Sequence, residues 1–274
     1  MVKKNYPLLM FLHLPKTAGN TMLDVFAQNY LFKKIVTYYP DLGITPEQWM
    51  EKNREAVVQS GVLFGHFFYG LELLLPIRRE VIYATMLRDP VKRAISYYHF
   101  ARKYPDHYLH HEVIKMTLED FVSSGVCKEI NNGQARQLAG YLASQAEKCT
   151  EADYFAALAH MKSMAVVGVQ ERFDDTILLM QKKFGWSSCF FTSKNVGENK
   201  GGKVEERVIE KIKEVNQYDL MLYREACERL QNDVEAILDI DDRRSRFKLM
   251  NGTIGQLARP YLATCLVAAV RKGL

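Results

Sequence analysis

The stretch that decides the fold is residues 8–21, which read LLMFLHLPKTAGNT. Its first half is apolar apart from one histidine and has the length of a buried strand. A short loop with one lysine, one glycine and two threonines follows, and an apolar helical pattern begins directly after it. Backbone N–H groups at a helix start are unpaired, and the helix dipole favours negative charge there. We therefore expect residues 15–21 to bind a phosphorylated or sulfated nucleotide.

Each residue of this loop has an expected role in binding the anion. The Lys16 ammonium supplies a mobile positive charge, and the hydroxyl groups of Thr17 and Thr21 supply hydrogen-bond donors. The backbone amides of the same segment supply further donors. The residues predicted to hold the donor nucleotide here are Lys16, Thr17, Ala18, Gly19, Asn20 and Thr21.

The rest of the chain alternates apolar runs with amphipathic segments. Near-continuous apolar strands separated by helices indicate a parallel sheet that is covered on both faces. We expect an α/β protein, a three-layer P-loop-like fold with a central, mostly parallel sheet flanked by helices. It is expected to form one domain over residues 1–274, of which residues 247–274 form a C-terminal helical extension. Strands are predicted at 8–14, 62–65, 81–87 and 164–169, and helices at 21–32, 46–60, 90–103, 118–123, 151–161, 172–184, 203–216 and 217–238.

A second junction between a strand and a helix lies at residues 81–98, which read VIYATMLRDPVKRAISYY. Pro90 suits the first helical turn, where a missing N–H costs nothing, and Asp89 is placed to cap the helix. Arg88 then follows the carboxyl end of a strand, where open parallel sheets bind their ligands. Ser96 lies roughly two helical turns further on. We expect Arg88 and Ser96 to bind one phosphate group together.

The two junctions resemble the nucleotide-binding motifs of sulfotransferases. PKTAGNT at residues 15–21 is similar to their 5′-phosphosulfate loop, and RDPVKRAISYYHF at residues 88–100 is similar to their 3′-phosphate-binding element. The resemblance is strongest for carbohydrate O-sulfotransferases of the uronyl 2-O type and their soluble bacterial relatives, and it spans residues 11–230. The other matching stretches are GHF at 65–67, NNGQARQL at 131–138, GVQERF at 168–173 and NV at 195–196.

The resemblance implies a donor and a reaction. Members of this family transfer the sulfuryl group of 3′-phosphoadenosine-5′-phosphosulfate (PAPS) to a hydroxyl group. They release 3′,5′-adenosine bisphosphate (PAP) and require no metal. By this resemblance, Lys16 compensates the charge on the departing 5′-phosphate. Arg88 and Ser96 hold the 3′-phosphate, which ATP lacks.

His66 is the expected general base. In this branch of the family a histidine that follows a strand takes the acceptor proton, and His66 in the sequence FGHF matches that position. Its ordinary pKa of about 6.5 suits proton abstraction near neutral pH. His13, which precedes the phosphate loop, is a rival, although its place in a strand favours a structural role. Glu72 is the nearest acidic candidate, because other branches of the family use a glutamate base.

Residues further along the chain are assigned to the acceptor and to late contacts with the nucleotide. Asn132 and Arg136 lie on a predicted short helix, and an arginine suits the carboxylate of a uronic acid. The loop at residues 195–203 matches the family's loop that closes over the nucleotide, so Asn195 and Lys200 are predicted to contact the donor. The expected acceptor is a hydroxyl group of a carbohydrate or glycoconjugate.

Composition limits the other partners. The 274 residues carry a net charge of +5, which fits an anionic ligand but is too small and dispersed for a nucleic-acid-binding face. Five cysteines without CxxC spacing, and a phosphate loop close to Met1, favour a cytoplasmic protein without a bound metal.

The apolar segment at residues 258–272 has basic ends. It is expected to pack on the protein or on a second subunit, or to contact a membrane surface peripherally.

Other functional classes remain open at the level of sequence. A P-loop kinase or nucleotide hydrolase would use ATP and Mg²⁺. The chain lacks G-x-x-x-x-G-K-[ST], which supplies the lysine and hydroxyl for the γ-phosphate and the metal. A non-catalytic nucleotide sensor would keep the fold, but the joint presence of Lys16, His66, Arg88 and Ser96 favours an enzyme. A sulfotransferase that acts on a lipid or a small metabolite is a further alternative.

Overall fold

Five strands form a parallel sheet in this computed structural model, which describes residues 6–30, 35–39, 43–74, 79–187, 189–191 and 204–252. The strands are β1 (Leu8–Leu12), β2 (Ile35–Tyr38), β3 (Val62–Gly65), β4 (Val81–Leu87) and β5 (Val166–Val169). Their order across the sheet is β2-β3-β1-β4-β5, so β1 lies at the centre between β3 and β4.

Helices connect and flank the strands, which confirms the α/β class with a central parallel sheet. None of the helices within the described ranges is long and apolar enough to cross a membrane. The helices are α1 (Gly19–Asn29), α2 (Pro46–Gln59), α3 (Pro90–Lys103), α4 (His110–Val113), α5 (Leu118–Ser123), α6 (Gly133–Ala139), α7 (Tyr141–Gln145), α8 (Glu151–Ser163), α9 (Phe173–Phe184), α10 (Glu206–Val215), α11 (Gln217–Glu235) and α12 (240–252).

The register of the sheet brings three strand ends together. Leu12 of β1 pairs with Gly65 of β3, and β4 runs along the other side of β1. The hydrogen bonds continue one residue past the strands. The His13 amide donates to the Gly65 carbonyl at 2.9 Å, and the His66 amide donates to the Tyr38 carbonyl at 3.0 Å. Neighbouring strands lie about 4.8 Å apart, so the residues that follow these ends can contact one another.

The chain diverges beside the central strand. The connection that leaves β1 leads toward β2, whereas the connection that leaves β4 leads to β5 at the opposite edge. Open parallel sheets bind ligands in the crevice that such a divergence creates at the carboxyl ends of the strands. Here the crevice lies between residues 13–18 and Arg88, which are the two junctions that the sequence pattern indicated.

Burial of β1 holds the loop that follows it. Each residue of β1 is at most 2% exposed. The Phe11 ring stacks on the Phe64 ring of β3 with centroids 5.0 Å apart, and it tilts against the Phe26 ring of α1 at 5.1 Å. The Phe11 ring therefore packs against both α1 and β3 in the same core. A second apolar cluster joins α3 to α5 and α10.

The helices α6 and α11 cap each other's first turns through buried side chains. The Asn132 amide oxygen accepts hydrogen bonds from the backbone amides of Tyr218 and Asp219 at 2.9 and 3.1 Å. Asp219 in turn accepts from the backbone amides of Gln134 and Ala135 at 3.2 and 2.8 Å. Each side chain satisfies N–H groups that have no partner within their own helix.

A buried ion pair ties α3 to this arrangement. The Arg93 guanidinium lies 3.2 Å from the Asp219 carboxylate, and both side chains are at most 1% exposed. Arg93 also donates to the Glu129 carbonyl. Because α3 follows the Arg88 junction, this ion pair and the two caps hold one side of the crevice in place.

The predicted strands are found, and one further strand is new. β2 is a four-residue edge strand that is mostly half-buried, so its apolar run was too short and weak to predict. β1 ends at Leu12 rather than at residue 14. In the predicted C-terminal extension, residues 247–252 belong to α12, and residues 253–274 lie outside the described residues. The single domain over residues 1–274 stays a prediction.

Replacement of Asp219 by alanine should destabilise the protein by about 3–5 kcal/mol, because it removes the carboxylate nearest to the buried Arg93 guanidinium and leaves two helix N–H groups without their acceptor. Urea denaturation monitored by circular dichroism measures the change. Glu214→Ala, which removes an exposed partner of Lys211, is the control and should cost less than about 0.5 kcal/mol. Equal effects of the two variants would contradict this account of the ion pair.

Candidate functional site

The residues at the ends of β1, β3 and β4 form one crevice. His13 and the phosphate loop follow β1, His66 follows β3, and Arg88 follows β4. The structure therefore brings together Lys16, His66 and Arg88, which are far apart in the sequence. All three lie at the edge of the sheet where the chain diverges.

The phosphate loop has an unusual backbone. Lys16 and Ala18 adopt φ angles of 71° and 61°, in the left-handed region, on either side of Thr17. Turns of this kind make backbone N–H groups converge, which creates a concavity for an anion. Thr17 is fully buried, and its hydroxyl donates to the Leu14 carbonyl at 2.7 Å. The Thr17 side chain thus supports the shape of the loop from inside.

Gly19 is the point where the loop touches the strand end. A Cβ atom at Gly19 would lie about 2.0 Å from Nε2 of the His13 ring, so the close approach requires a residue without a side chain. Asn20 is exposed and Thr21 is buried in the first turn of α1. The first residue of α1 therefore packs directly against the His13 imidazole.

His13 is a buried structural histidine. Its Nδ1 lies 3.1 Å from the Tyr39 hydroxyl, and its ring packs on His66 with centroids 4.6 Å apart. Burial, then the charge of His66 and that of Lys16, lower the pKa of His13 well below its ordinary value. The imidazole is therefore neutral at pH 7, and its contacts connect the phosphate loop with His66.

Arg88 is linked directly to the phosphate loop. Its guanidinium Nη1 donates to the Lys16 carbonyl at 2.9 Å. The Gln134 side chain from α6 holds the Arg88 backbone on both sides, because it accepts from the amide and donates to the carbonyl, each at 3.0 Å. The Nε of Arg88 is buried and has no hydrogen-bond partner among the described residues. A donor of this kind suits an anionic oxygen.

The Lys16 ammonium contacts the helix α3, which follows Arg88. Its Nζ is 3.9 Å from the centroid of the Phe100 ring of α3, which is a cation–π contact. Withdrawal from water, and then the charge of Arg88, lower the pKa of Lys16 to about 8. The ammonium is still mainly charged at pH 7, but it loses its proton in mild alkali.

His66 is exposed at the end of β3. Its ring lies edge-on to the Tyr39 ring, with centroids 4.8 Å apart. The side chain keeps contact with solvent, yet its partial withdrawal from bulk water, and then the charge of Lys16, lower the pKa of His66 to about 4. The imidazole is neutral at pH 7, so one ring nitrogen is free to accept a proton.

The helix α3 presents the second predicted phosphate contact. Asp89 caps this helix as expected, because its Oδ1 accepts from the Lys92 amide at 2.8 Å. Ser96 is half-buried on α3. Phe100 follows one turn later, so the two side chains share a face of the helix. The Lys16 contact to Phe100 shows that this face is turned toward the phosphate loop.

Two predicted acceptor residues are not in the crevice. Asn132 is 5% exposed and caps α11. Arg136 is 2% exposed, and its guanidinium donates to backbone carbonyls. The polar atoms of Asn132 and Arg136 form hydrogen bonds within the fold, so we do not include either residue in the site.

Glu72, the alternative base, has a structural partner, because its carboxylate accepts a hydrogen bond from the Tyr83 hydroxyl. The predicted donor contacts Asn195 and Lys200 lie outside the described residues.

Three contributors were missed by the sequence analysis. Tyr39 follows the unpredicted strand β2, so nothing indicated its place beside His13 and His66. Gln134 belongs to the stretch that resembles the sulfotransferases, but its bond to Arg88 joins positions 46 residues apart. Phe100 was within reach of prediction, since it lies four residues after Ser96 on an amphipathic helix.

Neither a protein-family model nor a curated protein matches this chain. Among solved structures, the chain is similar to the crystal structure of the mouse sulfotransferase SULT7A1 complexed with PAP. The sequence identity is 10% and the TM-score is 0.40, and the match covers 93% of this chain and 89% of that one. A similarity of this size carries no functional argument, so the function must be inferred from the residues of the crevice.

Proposed function

We propose that the protein is a PAPS-dependent sulfotransferase that transfers the sulfuryl group to a hydroxyl group of a carbohydrate or glycoconjugate. The observation that carries the proposal is the hydrogen bond from Arg88 to the Lys16 carbonyl at 2.9 Å. It joins two anion-binding groups from the ends of neighbouring parallel strands. A nucleotide that carries two separate phosphate groups fits such a pair of groups.

The two groups have different tasks in the proposed complex. The loop at residues 15–21 holds the 5′-phosphosulfate with its backbone amides, and Arg88 with Ser96 holds the 3′-phosphate. The unpartnered Nε of Arg88 supports this role, because it leaves a buried donor for an anionic oxygen. ATP has no 3′-phosphate, so this contact favours PAPS. Asn195 and Lys200 complete the proposed donor site.

The reaction follows from the positions of Lys16 and His66. The acceptor oxygen forms a bond to sulfur, while the bond from sulfur to the bridging oxygen of the 5′-phosphate breaks. PAP leaves with the electron pair of that bond, and the acceptor proton passes to the neutral imidazole of His66. Lys16 neutralises the charge that develops on the bridging oxygen. The products are a sulfate ester, PAP and a protonated His66.

The charge of the donor matches the unusual state of both catalytic groups. In the free protein the pKa values of Lys16 and His66 are lowered to about 8 and about 4. An anionic donor beside them favours their charged forms and so raises both pKa values. Binding of PAPS therefore keeps Lys16 protonated and makes His66 a stronger base.

PAP should raise the thermal unfolding temperature much more than AMP or ATP with Mg²⁺ at equal concentration, because PAP alone fills both phosphate sites. A ligand at 100 times its Kd adds about 2.7 kcal/mol of stability. Differential scanning fluorimetry measures the shift. Arg88→Ala should lose most of the difference between PAP and AMP, and Lys183→Ala, an exposed position on α9, should keep it. A larger shift with ATP and Mg²⁺ would point to a kinase or nucleotide hydrolase instead.

His66→Ala should reduce sulfate transfer at least ~100-fold, the typical contribution of a general base, while PAP binding stays close to that of the wild type. Transfer is measured from radiolabelled PAPS to an acceptor that the wild type uses in a panel of sugar and phenolic hydroxyl compounds. The control is His111→Ala, an exposed histidine of α4, which should leave the rate unchanged. Full turnover by His66→Ala would exclude His66 as the base.

The affinity for PAP should fall as the pH rises above about 8, because the free protein then loses the Lys16 proton that the complex retains. The fall should reach about tenfold per pH unit until the pKa of Lys16 in the complex is passed. Isothermal titration calorimetry between pH 7 and pH 9.5 measures it. Lys16→Arg keeps its charge over this range. A similar decline in that variant would assign the effect to another group.

A further inference from the structure

A row of aromatic side chains runs outward from the Lys16 ammonium. It consists of Phe100, Tyr104, His107 and Tyr108, and is called here the aromatic ladder. The Phe100 ring lies 4.6 Å from the Tyr104 ring and 5.6 Å from the His107 ring, and His107 stacks on Tyr108 at 4.8 Å, measured between centroids. Neighbouring rings are therefore in contact: His107 and Tyr108 are stacked, whereas Phe100 and His107 meet edge-on.

The ladder begins at the reaction centre and ends in solvent. Phe100 carries the Lys16 ammonium at 3.9 Å from its centroid. Burial, then the charge of Lys16, lower the pKa of His107, whose ring contacts the same Phe100 ring as the ammonium. At the outer end Tyr104 and Tyr108 are 41% and 54% exposed. A molecule that rests on the ladder thus has one end beside Lys16.

The ladder has a firm base. The Tyr97 and Tyr108 hydroxyl oxygens are 3.5 Å apart, and the Leu109 amide donates to Nδ1 of His107 at 3.2 Å. Tyr97 and Leu109 belong to the second apolar cluster beneath α3. The exposed rings are therefore held by a packed core, which lowers the entropy that a ligand must remove on binding.

The ladder segment carries little net charge. Within residues 100–108, Arg102 and Lys103 are cationic and Asp106 is anionic, which leaves a net charge of only +1. Arg102 is occupied, because its Nη1 donates to the Val113 and Met116 carbonyls at 3.0 Å. Arg136, the arginine expected to meet a uronic acid, is buried and bonded to carbonyls. Within the described residues, recognition at this surface falls to the aromatic rings.

We propose that the aromatic ladder is the acceptor subsite and that it takes an uncharged, hydroxyl-bearing ring with an apolar face. A neutral sugar ring and a phenolic ring share this chemistry, since both can lie flat on aromatic side chains. In the proposed complex, a ring at the inner end of the ladder lies beside the Lys16 ammonium, which contacts Phe100. This inference rests on the proposed sulfotransferase function, and it excludes a polyanionic uronyl chain as the preferred acceptor.

The test is a titration of the wild-type protein saturated with PAP. The probes are methyl β-glucopyranoside, p-nitrophenol and a heparosan oligosaccharide, and calorimetry gives their dissociation constants. We expect a neutral probe to bind at least tenfold more tightly than the anionic oligosaccharide. Preference for the methyl glycoside identifies the ring as a sugar, and preference for p-nitrophenol identifies it as a phenol. Tighter binding of heparosan, or no binding of either neutral probe, overturns the proposal.

Variants locate the binding on the ladder. The double variant Tyr104→Ala, Tyr108→Ala should weaken the preferred neutral probe by about tenfold or more. Tyr108→Phe, which keeps the ring, should bind as the wild type does. Phe155→Ala removes an equally exposed ring on α8 and is the matched control. Unchanged binding by the double variant overturns the proposal.

The affinity for PAP separates this inference from the function on which it rests. All three variants keep the proposed phosphate-binding residues, so each should bind PAP with the affinity of the wild type. A wild-type protein that does not bind PAP would refute the proposed function itself. Normal PAP binding combined with a preference for heparosan would refute only the assignment of the ladder.

Discussion

The parallel pairing of β1 with β3 on one side and with β4 on the other is the constraint on which the site depends. Parallel strands end at the same edge of a sheet, so the residues that follow them become neighbours however far apart they lie in the chain. Leu12 pairs with Gly65, and this register places His13 against His66 with ring centroids 4.6 Å apart. A shift of one residue would separate them and turn their side chains to opposite faces.

Buried polar contacts then determine which groups of the crevice are free to act. Gln134 holds the Arg88 backbone, and the caps and ion pair at Asp219 hold the helix that carries Gln134. The side chains of Gln134 and Asp219 have hydrogen-bond partners inside the fold. The Arg88 guanidinium and the His66 imidazole remain at the crevice. Burial, and then the charge of a neighbouring cation, lower the pKa values of Lys16 and His66, which makes both groups sensitive to a bound anion.

Features that depend on neighbouring residues could be predicted from the sequence, and features that depend on distant residues could not. Local patterns were sufficient for the loop after β1 and for the cap at Asp89, because a strand, a turn and a helix start lie within about 15 residues. They failed for β2, whose four residues are half-buried at an edge. They also misjudged Asn132 and Arg136. Polar residues look alike in sequence whether they face a ligand or cap a helix, and the contacts that distinguish these roles join distant segments.

The sequence by itself determined the α/β class, the central strand with its phosphate-type loop, and the Arg-Asp-Pro junction, since each depends on neighbouring residues. Tertiary structure alone decided that Arg88 bonds to the Lys16 carbonyl and that Phe100 carries the Lys16 ammonium. It also decided that His13 supports the loop while His66 faces the crevice. The physical reason is that burial, charge and hydrogen-bond partners are properties of the packed chain, which no local pattern contains.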